Sequence, residues 1–422
     1  QIRPPQPINN LTMFDYKINK LNFILITLFS IYPLAILSGN FLINIFILIS
    51  GSIFFYKLIT KDTSFSQYKV TLSLLLFFFI SLLVNLFFSN NVLLSYQRVT
   101  KFLFIIFFII SFQYLIINFY QNLKTIYKLW AVFFFIVIID LIVEFFIGKN
   151  ILGQSTIVPS RLASFTGNES VIGHFFFGFC LIFLSYLYNH HKKIFLNISL
   201  AIILIIVSFL IGERANFIRT FIAISLFILF AYKINYKIKF LSIILISSYL
   251  AFLNVEGDYK HRYFSQIKLI FTPSGLSKYL NNTQYGAHRN VAKEIFLDNP
   301  IFGVGIKNFR IESGNKKYND LDHKLNDSRV SNHPHELYYE FLSETGIFGL
   351  FCFLVFIFFS IILSLKNYIQ KKNVYQLSAM IIVVLSILPV LPSGSFLATF
   401  PSSIFWINYA IMMGYNSTKI TK

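Results

Sequence analysis

Residues 70–88 read VTLSLLLFFFISLLVNLFF, an apolar run without a charged side chain. A helix needs roughly 20 apolar residues to cross the hydrocarbon core of a bilayer, so this stretch predicts a transmembrane helix. Similar runs lie on both sides of it. Together they predict twelve spans, at residues 21–38, 41–56, 70–88, 102–119, 129–147, 171–188, 194–212, 215–232, 240–254, 346–365, 375–392 and 396–415.

The composition agrees with a chain surrounded by lipid. Hydrophobic residues make up 56% of the 422 residues and charged residues only 13%, whereas a soluble domain is about 25% charged. The two cysteines, Cys180 and Cys352, lie inside apolar runs, which argues against a disulfide framework or a cysteine-based metal site. The predicted fold class is all-α: a polytopic membrane helix bundle of about 12 transmembrane helices with one large, partly helical periplasmic loop.

The net charge of +19 does not indicate a nucleic-acid-binding protein, because the basic residues lie in short clusters between apolar runs. Every second loop is rich in lysine, as the positive-inside rule requires of cytoplasmic loops. The pattern predicts that both termini are cytoplasmic. The lysines in question are Lys57, Lys61, Lys69, Lys124, Lys128, Lys192, Lys193, Lys233, Lys237, Lys239, Lys366, Lys371 and Lys372, with Lys419 and Lys422 in the tail.

The long segment 255–345 falls on the outer side of this topology. It is mixed in charge and lacks the low complexity of a disordered linker, and its helical stretches at 287–297 and 335–344 predict a small ordered cap. The predicted division is a cytoplasmic N-terminal tail (1–20), nine helices (21–254), the loop on the outer side (255–345), three helices (346–415) and a cytoplasmic tail (416–422).

Arginines stand at the predicted outer edge of the membrane. Arg161 precedes the sixth span, Arg214 lies between the seventh and eighth, and Arg289 lies in the long loop. The planar guanidinium matches phosphate oxygens, although a lone arginine here equally indicates a side chain that reaches lipid headgroups. Arg219 is about 140° round the helix from Arg214, so the two need not share one ligand.

Two further features of the long loop could bind an anion. Lys293 follows Arg289 by one helical turn, so both side chains can face one ligand. The turn Gly303-Val304-Gly305 permits close backbone approach and can form an anion-binding nest. An ordinary loop is the alternative for this turn.

The histidines His333 and His335 leave three interpretations open. They could bind a metal together with His323 and Glu336, although nothing in the spacing defines such a site. They could be buried structural residues. They could also include a general base near the membrane surface, since the unperturbed pKa of histidine is about 6.5.

Acidic residues occur in two places of interest. Glu336, Glu340 and Glu344 form a stripe at four-residue spacing. The stripe could orient a histidine or pair with the arginines, but we expect it to be solvated. Asp140 and Glu144 lie one turn apart in the fifth span, where ionisable groups are functional candidates. Glu144 is close enough to the outer end to line a site, and Asp140 is deeper.

These elements together resemble the O-antigen ligase and polymerase superfamily of bacterial envelope enzymes. The resemblance covers roughly residues 155–350 and departs from the family pattern at Glu336, where asparagine is usual, and at Glu213, where a small residue is usual. The motifs that carry it read RLASFTGNESVIG (161–173), ERA (213–215), HRNVAKEIF (288–296), NPIFGVGIKNF (299–309) and HPHELYYEFLSETGIFG (333–349).

The resemblance implies a glycosyltransferase of the bacterial inner membrane with a periplasmic active site and no metal or other cofactor. It implies an undecaprenyl-pyrophosphate-linked glycan as donor and a glycolipid, such as lipid A-core, as acceptor. It places the pyrophosphate-binding arginines at Arg214 and Arg289 and the catalytic histidine at His335. The remaining candidates for substrate binding are Arg161, Arg219, Lys293, Gly303, Gly305, His333 and Glu336.

Ligase activity is the favoured interpretation, because of the twelve spans and the single dominant outer loop. A repeat-unit polymerase of the same superfamily shares the donor and the catalytic logic and is the close alternative. A transporter or flippase for lipid-linked sugars would need polar residues along a path through several spans. The spans are apolar apart from Asp140, Glu144 and Arg219, which disfavours that class.

Overall fold

The computed structural model describes residues 20–418 apart from 157, 159, 168–170, 191–192, 233–262, 264–271, 273 and 321–324, with the backbone alone at 276, 280 and 281. Within these residues the chain is helical and contains no strand. Its helices are α1 (Lys20–Ser30), α2 (Tyr32–Leu37), α3 (Asn40–Ile59), α4 (Lys69–Phe87), α5 (Val92–Asn118), α6 (Tyr120–Ile147), α7 (Ile172–His190), α8 (Ile194–Leu210), α9 (Arg214–Ala231), α10 (Gly275–Asn282), α11 (Gln284–Asp298), α12 (Phe309–Glu312), α13 (Leu337–Lys371), α14 (Val374–Ser386) and α15 (Thr399–Gly414).

The chain is a polytopic helical membrane protein. Seven helices in the described residues are long and apolar enough to cross a membrane, namely α3, α4 with the turn before it, α5, α6, α7, α9 and α13. Three shorter apolar helices, α1, α8 and α14, accompany them. Every predicted span coincides with one of the helices except the ninth, 240–254, which lies outside the described residues.

The first predicted span, 21–38, is divided into α1 and α2. Pro33 stands in the first turn of α2, where it lacks the N–H that would continue the hydrogen bonds of α1. Proline is favourable at this position because the first amides of a helix have no partner within it.

The tenth predicted span, 346–365, is only part of the helix that the structure shows. The helix begins at Leu337 and runs to Lys371, so it joins the predicted loop helix 335–344 to the predicted span 346–365. The two parts meet at Gly346, whose φ of 63° is non-helical. A side chain at Gly346 would collide with the backbone of Ile301, and the amide of Ile347 donates to the carbonyl of Pro300 at 2.9 Å. The break therefore allows the turn 299–305 to cross the helix.

The bundle is packed largely by aromatic side chains. Phe102 lies edge-on to Trp406 at 5.2 Å between ring centroids, and Phe78 stacks on Phe356 at 5.3 Å. Large apolar side chains such as Phe41 and Phe87 are exposed on the outside of the bundle, by 75% and 85%. Lipid can cover such a surface and water cannot.

One end of the bundle gathers the described segments that carry the sequence motifs. We call this the loop end, and it comprises 88–91, 148–171, 211–213, 274–336 and 387–398. Asn85 joins two of its parts, because its Nδ2 donates to the carbonyls of Phe302 and Glu344, at 2.6 and 3.1 Å. The candidate functional residues lie at this end.

Candidate active site

Arg289 is buried within the site although it carries a charge. It lies on α11 with 6% of its side chain exposed, and its Nη2 donates to the carbonyl of Val390 at 2.6 Å. The guanidinium carbon is 5.8 Å from the centre of the Tyr279 ring. Its Nε is buried and has no hydrogen-bond partner.

Arg219 reaches the neighbouring carbonyl of the same loop. Its Nη2 is 3.4 Å from the carbonyl of Leu391, and its Nη1 donates to Asn216 Oδ1 at 3.2 Å. The side chain is only 2% exposed, and its Nε also has no partner. Arg219 and Arg289 therefore converge on consecutive backbone carbonyls of the segment 387–398, which we call the α14–α15 loop.

Neither arginine has a carboxylate within 4 Å in the part of the chain that the structure describes. Arg329 in the same region is equally buried, yet it forms ion pairs with Glu294 and with Asp320. Burying an unpaired charge is costly, and an anionic ligand would remove that cost. The two arginines are thus arranged as receptors for an anion.

Arg214 and Arg161 stand beside this pair. Arg214 begins α9 and is half-buried. Burial raises the pKa of the Tyr279 phenol, and the nearby charges of Arg289 and Arg214 oppose that shift, so both guanidinium groups lie close to one ring. Arg161 is half-buried with an unpartnered Nε. Its loop is joined to the start of the α8–α9 turn by the bond from Leu162 N to Ile211 O, at 3.1 Å.

Three imidazoles stand in a row next to the arginines. The ring of His335 is 3.9 Å from that of His333 and 5.0 Å from that of His288, with which it is nearly parallel. Tyr285 meets the His335 ring edge-on at 5.5 Å. His288 precedes Arg289 on α11, so this helix supplies both an arginine and an imidazole to the site.

All three histidines have a lowered pKa. Burial, followed by the neighbouring rings, lowers the pKa of His335 to about 3. Burial lowers the pKa of His333 to about 4, against an opposing hydrogen bond to the Ser393 backbone. Burial likewise lowers the pKa of His288, which is bonded to the backbone of Ser328. The imidazoles are therefore neutral at pH 7, the form that can accept a proton.

The α14–α15 loop holds the histidines as well as the arginines. Its Ser393 amide donates to the carbonyl of His335 at 2.9 Å. His335 has a φ of 56°, in the left-handed region, and Val390 has a φ of 75°. Such backbone is costly for residues other than glycine and often occurs at functional sites. The Nε2 of His333 and the Oγ of Ser393 are buried without partners.

The expectation that the acidic stripe is solvated is wrong. Glu336, Glu340 and Glu344 are at most 6% exposed. Glu336 caps α13 by accepting from Tyr339 N at 2.9 Å, and its other oxygen is 3.4 Å from Val390 N. An asparagine, the usual residue here in the resembling family, is a preferred cap for the same reason.

The other two carboxylates also anchor loops. Glu340 accepts from Ser395 Oγ at 2.5 Å and from Phe396 N at 3.0 Å, which ties the α14–α15 loop to α13. Glu344 accepts from the amides of Lys307 and Phe309. The stripe is buried because each carboxylate satisfies the backbone of one loop.

Glu144 does not line the site, contrary to expectation. It is buried and accepts from the amides of Ala163 and Ser164, the latter at 2.7 Å. Asp140, one turn deeper, accepts from Ser164 Oγ at 2.5 Å and from Ile151 N at 2.7 Å. These carboxylates hold the loop that presents Arg161.

The sequence makes the turn 303–305 and Lys293 candidates for binding an anion, but the structure does not place them in the arginine site. The amides of Val304 and Gly305 already donate to the carbonyls of Ser343 and Glu344, at 3.0 and 2.8 Å. A side chain at Gly303 would collide with the backbone of Glu344, so the glycines serve close packing against α13. Lys293 is exposed, whereas Arg289 is buried, and the two do not share one buried environment.

The structure does not support the interpretation of the histidines as metal ligands. The described residues contain no group of three His, Cys, Asp or Glu placed to hold an ion. His323, one of the predicted ligands, lies outside the described residues. Glu336, the other, is engaged as a helix cap.

Sequence reasoning missed the α14–α15 loop, His288 and Tyr279. The loop carries no charge, and it contributes through backbone carbonyls that any residue type supplies. The signals that could have revealed it were its Pro389, Pro392 and Gly394, which mark a shaped turn at the predicted outer edge.

Among families of known proteins, the one described as O-antigen ligase matches residues 199–354 of the chain. This segment of the chain is similar to the O-antigen ligase family. The matched residues include Arg214, Arg219, Arg289 and His335, and the resemblance drawn from the motifs is confirmed. Among curated proteins, none matches the chain.

This similarity supports a glycosyltransferase of the ligase or polymerase type. The α14–α15 loop lies beyond the matched segment, although it contacts the arginines and histidines within it. The candidate site thus combines residues of the matched segment, Arg161 before it and one loop after it.

Proposed function

We propose that this protein is a metal-independent glycosyltransferase that moves a glycan from undecaprenyl pyrophosphate to a sugar hydroxyl of a lipid-linked acceptor, such as lipid A-core, at the periplasmic face of the inner membrane. The observation that carries the proposal is the pair of buried arginines, Arg219 and Arg289, beside a row of neutral imidazoles. In the described part of the chain these buried cations have no carboxylate within 4 Å, and a proton acceptor lies next to them. Such a site suits a substrate whose leaving group is an anion.

In this proposal, the donor pyrophosphate takes the place of the carbonyls of Val390 and Leu391. Arg289 and Arg214 hold its oxygens, and Arg219 and Arg161 add further positive charge. The bond between the anomeric carbon and the phosphate oxygen breaks, and undecaprenyl pyrophosphate leaves with the electron pair. The arginines stabilise the charge that grows on the leaving oxygen.

The acceptor hydroxyl supplies the new bond. Its oxygen attacks the anomeric carbon, and His335 accepts its proton as general base. Because donor and acceptor are both held in the membrane, the reacting atoms lie at one depth, which raises their effective concentration. A repeat-unit polymerase would use the same steps with another lipid-linked glycan as the acceptor.

The test uses the full chain in nanodiscs with a polyprenyl-pyrophosphate-linked glycan, a lipid A-core acceptor and EDTA. His335→Ala and Arg289→Ala are expected to lower transfer at least a hundredfold, within the usual range for a general base. His190→Ala, on an exposed histidine at the far end of α7, is the matched control and is expected to be fully active.

The product distinguishes the two enzyme classes. Glycan on the acceptor indicates a ligase, and lengthened glycan on the carrier indicates a polymerase. Unchanged transfer in both variants would refute the site, and carrier movement across the bilayer without transfer would favour the transporter.

A further inference from the structure

A second group of cations lies at the loop end, outside the arginine site. It consists of Arg98 and Lys101 on α5 with Lys307 and Arg310 from the long loop, and we call it the Arg310 cluster. Arg98 Nη1 donates to the carbonyl of Leu397 at 2.8 Å. Lys101 Nζ donates to Thr399 Oγ1 at 2.5 Å, and Lys307 Nζ is 3.5 Å from Gln97 Oε1.

The protein compensates the cluster only at a distance, because the charges of the buried Glu344 and Glu340 act on Arg98. None of its four cations has a carboxylate within 4 Å among the residues that the structure describes. The buried carboxylates below it, Glu340 and Glu344, already accept from Ser395, Phe396, Lys307 and Phe309. Burial, and then the charges of Arg98 and Arg310, lowers the pKa of Lys307, so the cations lie close enough to repel one another.

The cluster and the arginine site flank the histidines. The positive charge of Arg310 acts on His333, at one end of the row of imidazoles. His288, at the other end, is adjacent in sequence to Arg289 of the arginine site. His335 stands between His288 and His333. His335 therefore lies between an imidazole on which Arg310 acts and an imidazole next to Arg289 in the chain.

Given the proposed function, on which this inference rests, we propose that the Arg310 cluster binds an anionic group of the acceptor glycolipid, a phosphate or a carboxylate. In a displacement, the hydroxyl approaches the anomeric carbon from the side away from the leaving pyrophosphate. An acceptor held on the His333 side by its own anion would bring a hydroxyl to His335, while the donor anion stays with Arg289. Two separate sites also prevent the two anions from competing for one set of arginines.

Membrane phospholipid headgroups offer the same chemistry, and the experiment separates the two sources. The double variant Lys307→Gln/Arg310→Gln is compared with Lys316→Gln, an exposed lysine of the same loop that lies outside the cluster. The probes are lipid A with its phosphates and the same lipid A after phosphatase treatment, in nanodiscs with and without anionic phospholipid. Binding of each probe is measured by titration, and transfer is measured where the wild type catalyses it.

The expected result is a roughly tenfold weaker binding of phosphorylated lipid A by the double variant, the loss of about one charge-assisted contact. Binding of the dephosphorylated probe, the KM for the donor and the Lys316→Gln control should not change. Equal binding of phosphorylated lipid A by variant and wild type would overturn the inference. So would an effect that depends on anionic phospholipid and is the same for both probes, because the cluster would then bind the membrane.

The outcome is separable from that of the proposed function. If wild type transfers no glycan, the proposed reaction fails while the titration still decides whether the cluster binds the phosphorylated probe. If transfer depends on His335 but the titration shows no difference, the reaction stands and the acceptor contact does not.

Discussion

His335 lies between two other imidazoles, and this environment determines its acid–base behaviour. Burial and the neighbouring rings of His333 and His288 lower its pKa to about 3, so the free protein keeps it neutral over the whole physiological range. A bound pyrophosphate adds negative charge nearby and favours the imidazolium, so the pKa should rise in the complex with donor.

We therefore expect kcat/KM, which reports the free enzyme, to hold its value as the pH falls from 8 to 5. The acid limb of kcat, which reports the bound enzyme, should lie at higher pH than that of kcat/KM. Rates measured between pH 4.5 and 8 with saturating and limiting donor check this. A kcat/KM profile that falls with a midpoint near 6.5 would contradict the lowered pKa of His335.

The same shifts affect stability, with a definite sign. The folded pKa values of His333 and His335 lie below the value of about 6.5 expected in the unfolded chain, so the unfolded chain binds these protons more readily. The folded state is thus expected to lose stability as the pH falls below about 6.5. This loss is distinct from any loss of catalysis.

Arg289 and Arg329 are buried to a similar degree but differ in their partners. Arg289→Met should abolish transfer while leaving thermal stability unchanged or higher, because it removes an uncompensated buried charge. Arg329→Met should lower the free energy of unfolding by about 2 kcal/mol, because it breaks charge-assisted hydrogen bonds to Glu294 and the carbonyl of Tyr318. Thermal unfolding in detergent, followed by fluorescence, measures both. Equal destabilisation would show that Arg289 is structural.

At the scale of elements, α13 serves two purposes on either side of Gly346. Its first part carries the acidic stripe that anchors the loops, and its second part spans the membrane. The break between them is where the turn 299–305 crosses the helix.

Gly346→Ala is expected to be far more harmful than Gly148→Ala. Both glycines have left-handed φ angles, 63° and 78°, so alanine costs each about 1–2 kcal/mol. A side chain at Gly148 would meet no atom within 4 Å, whereas one at Gly346 would collide with the backbone of Ile301. Unfolding temperatures of the two variants are the measurement. Similar decreases would mean that the crossing turn can move aside.

At the scale of the whole molecule, the charge pattern of the loops predicts a topology that can be tested by labelling. Ser155→Cys and Lys316→Cys, both at exposed positions of the loop end, should react with a membrane-impermeant maleimide in intact spheroplasts. Ser64→Cys, in a predicted cytoplasmic loop, should react only after permeabilisation. The native Cys180 and Cys352 are buried, which keeps the background low. The reverse pattern would invert the predicted sidedness.

The helices of this molecule were largely predictable from sequence, because a run of apolar residues is a local signal and a bilayer imposes its length. Outside the long loop, the described helices overlap the predicted spans, and the main departures have backbone causes. Pro33 interrupts the first span, and Gly346 allows a helix longer than the span it contains. The sequence around Pro33 and Gly346 does not indicate how either residue changes the course of its helix.

The candidate site was predictable only in part. Arg214, Arg289 and His335 could be named as candidates because charged side chains at the predicted outer edge are rare and the motifs follow a known order. The roles of Glu340 and Glu144 could not be predicted. A buried carboxylate that accepts from backbone amides cannot be distinguished in the sequence from a solvated one. Contacts made by backbone carbonyls, such as that of Val390 with Arg289, cannot be predicted from the residue type, because every residue has a carbonyl.

The α14–α15 loop has a consequence for turnover. The carbonyl dipoles of Val390 and Leu391 contact the guanidinium groups of Arg289 and Arg219, so water need not enter to solvate them. A donor pyrophosphate, with full charges, can displace these dipoles, and release of the left-handed Val390 backbone would return about 1–3 kcal/mol toward that exchange. In the proposed reaction, the same carbonyls would compete with the spent carrier after transfer and favour its departure. We expect such an enzyme to waste little donor by hydrolysis and to avoid strong inhibition by its own lipid product.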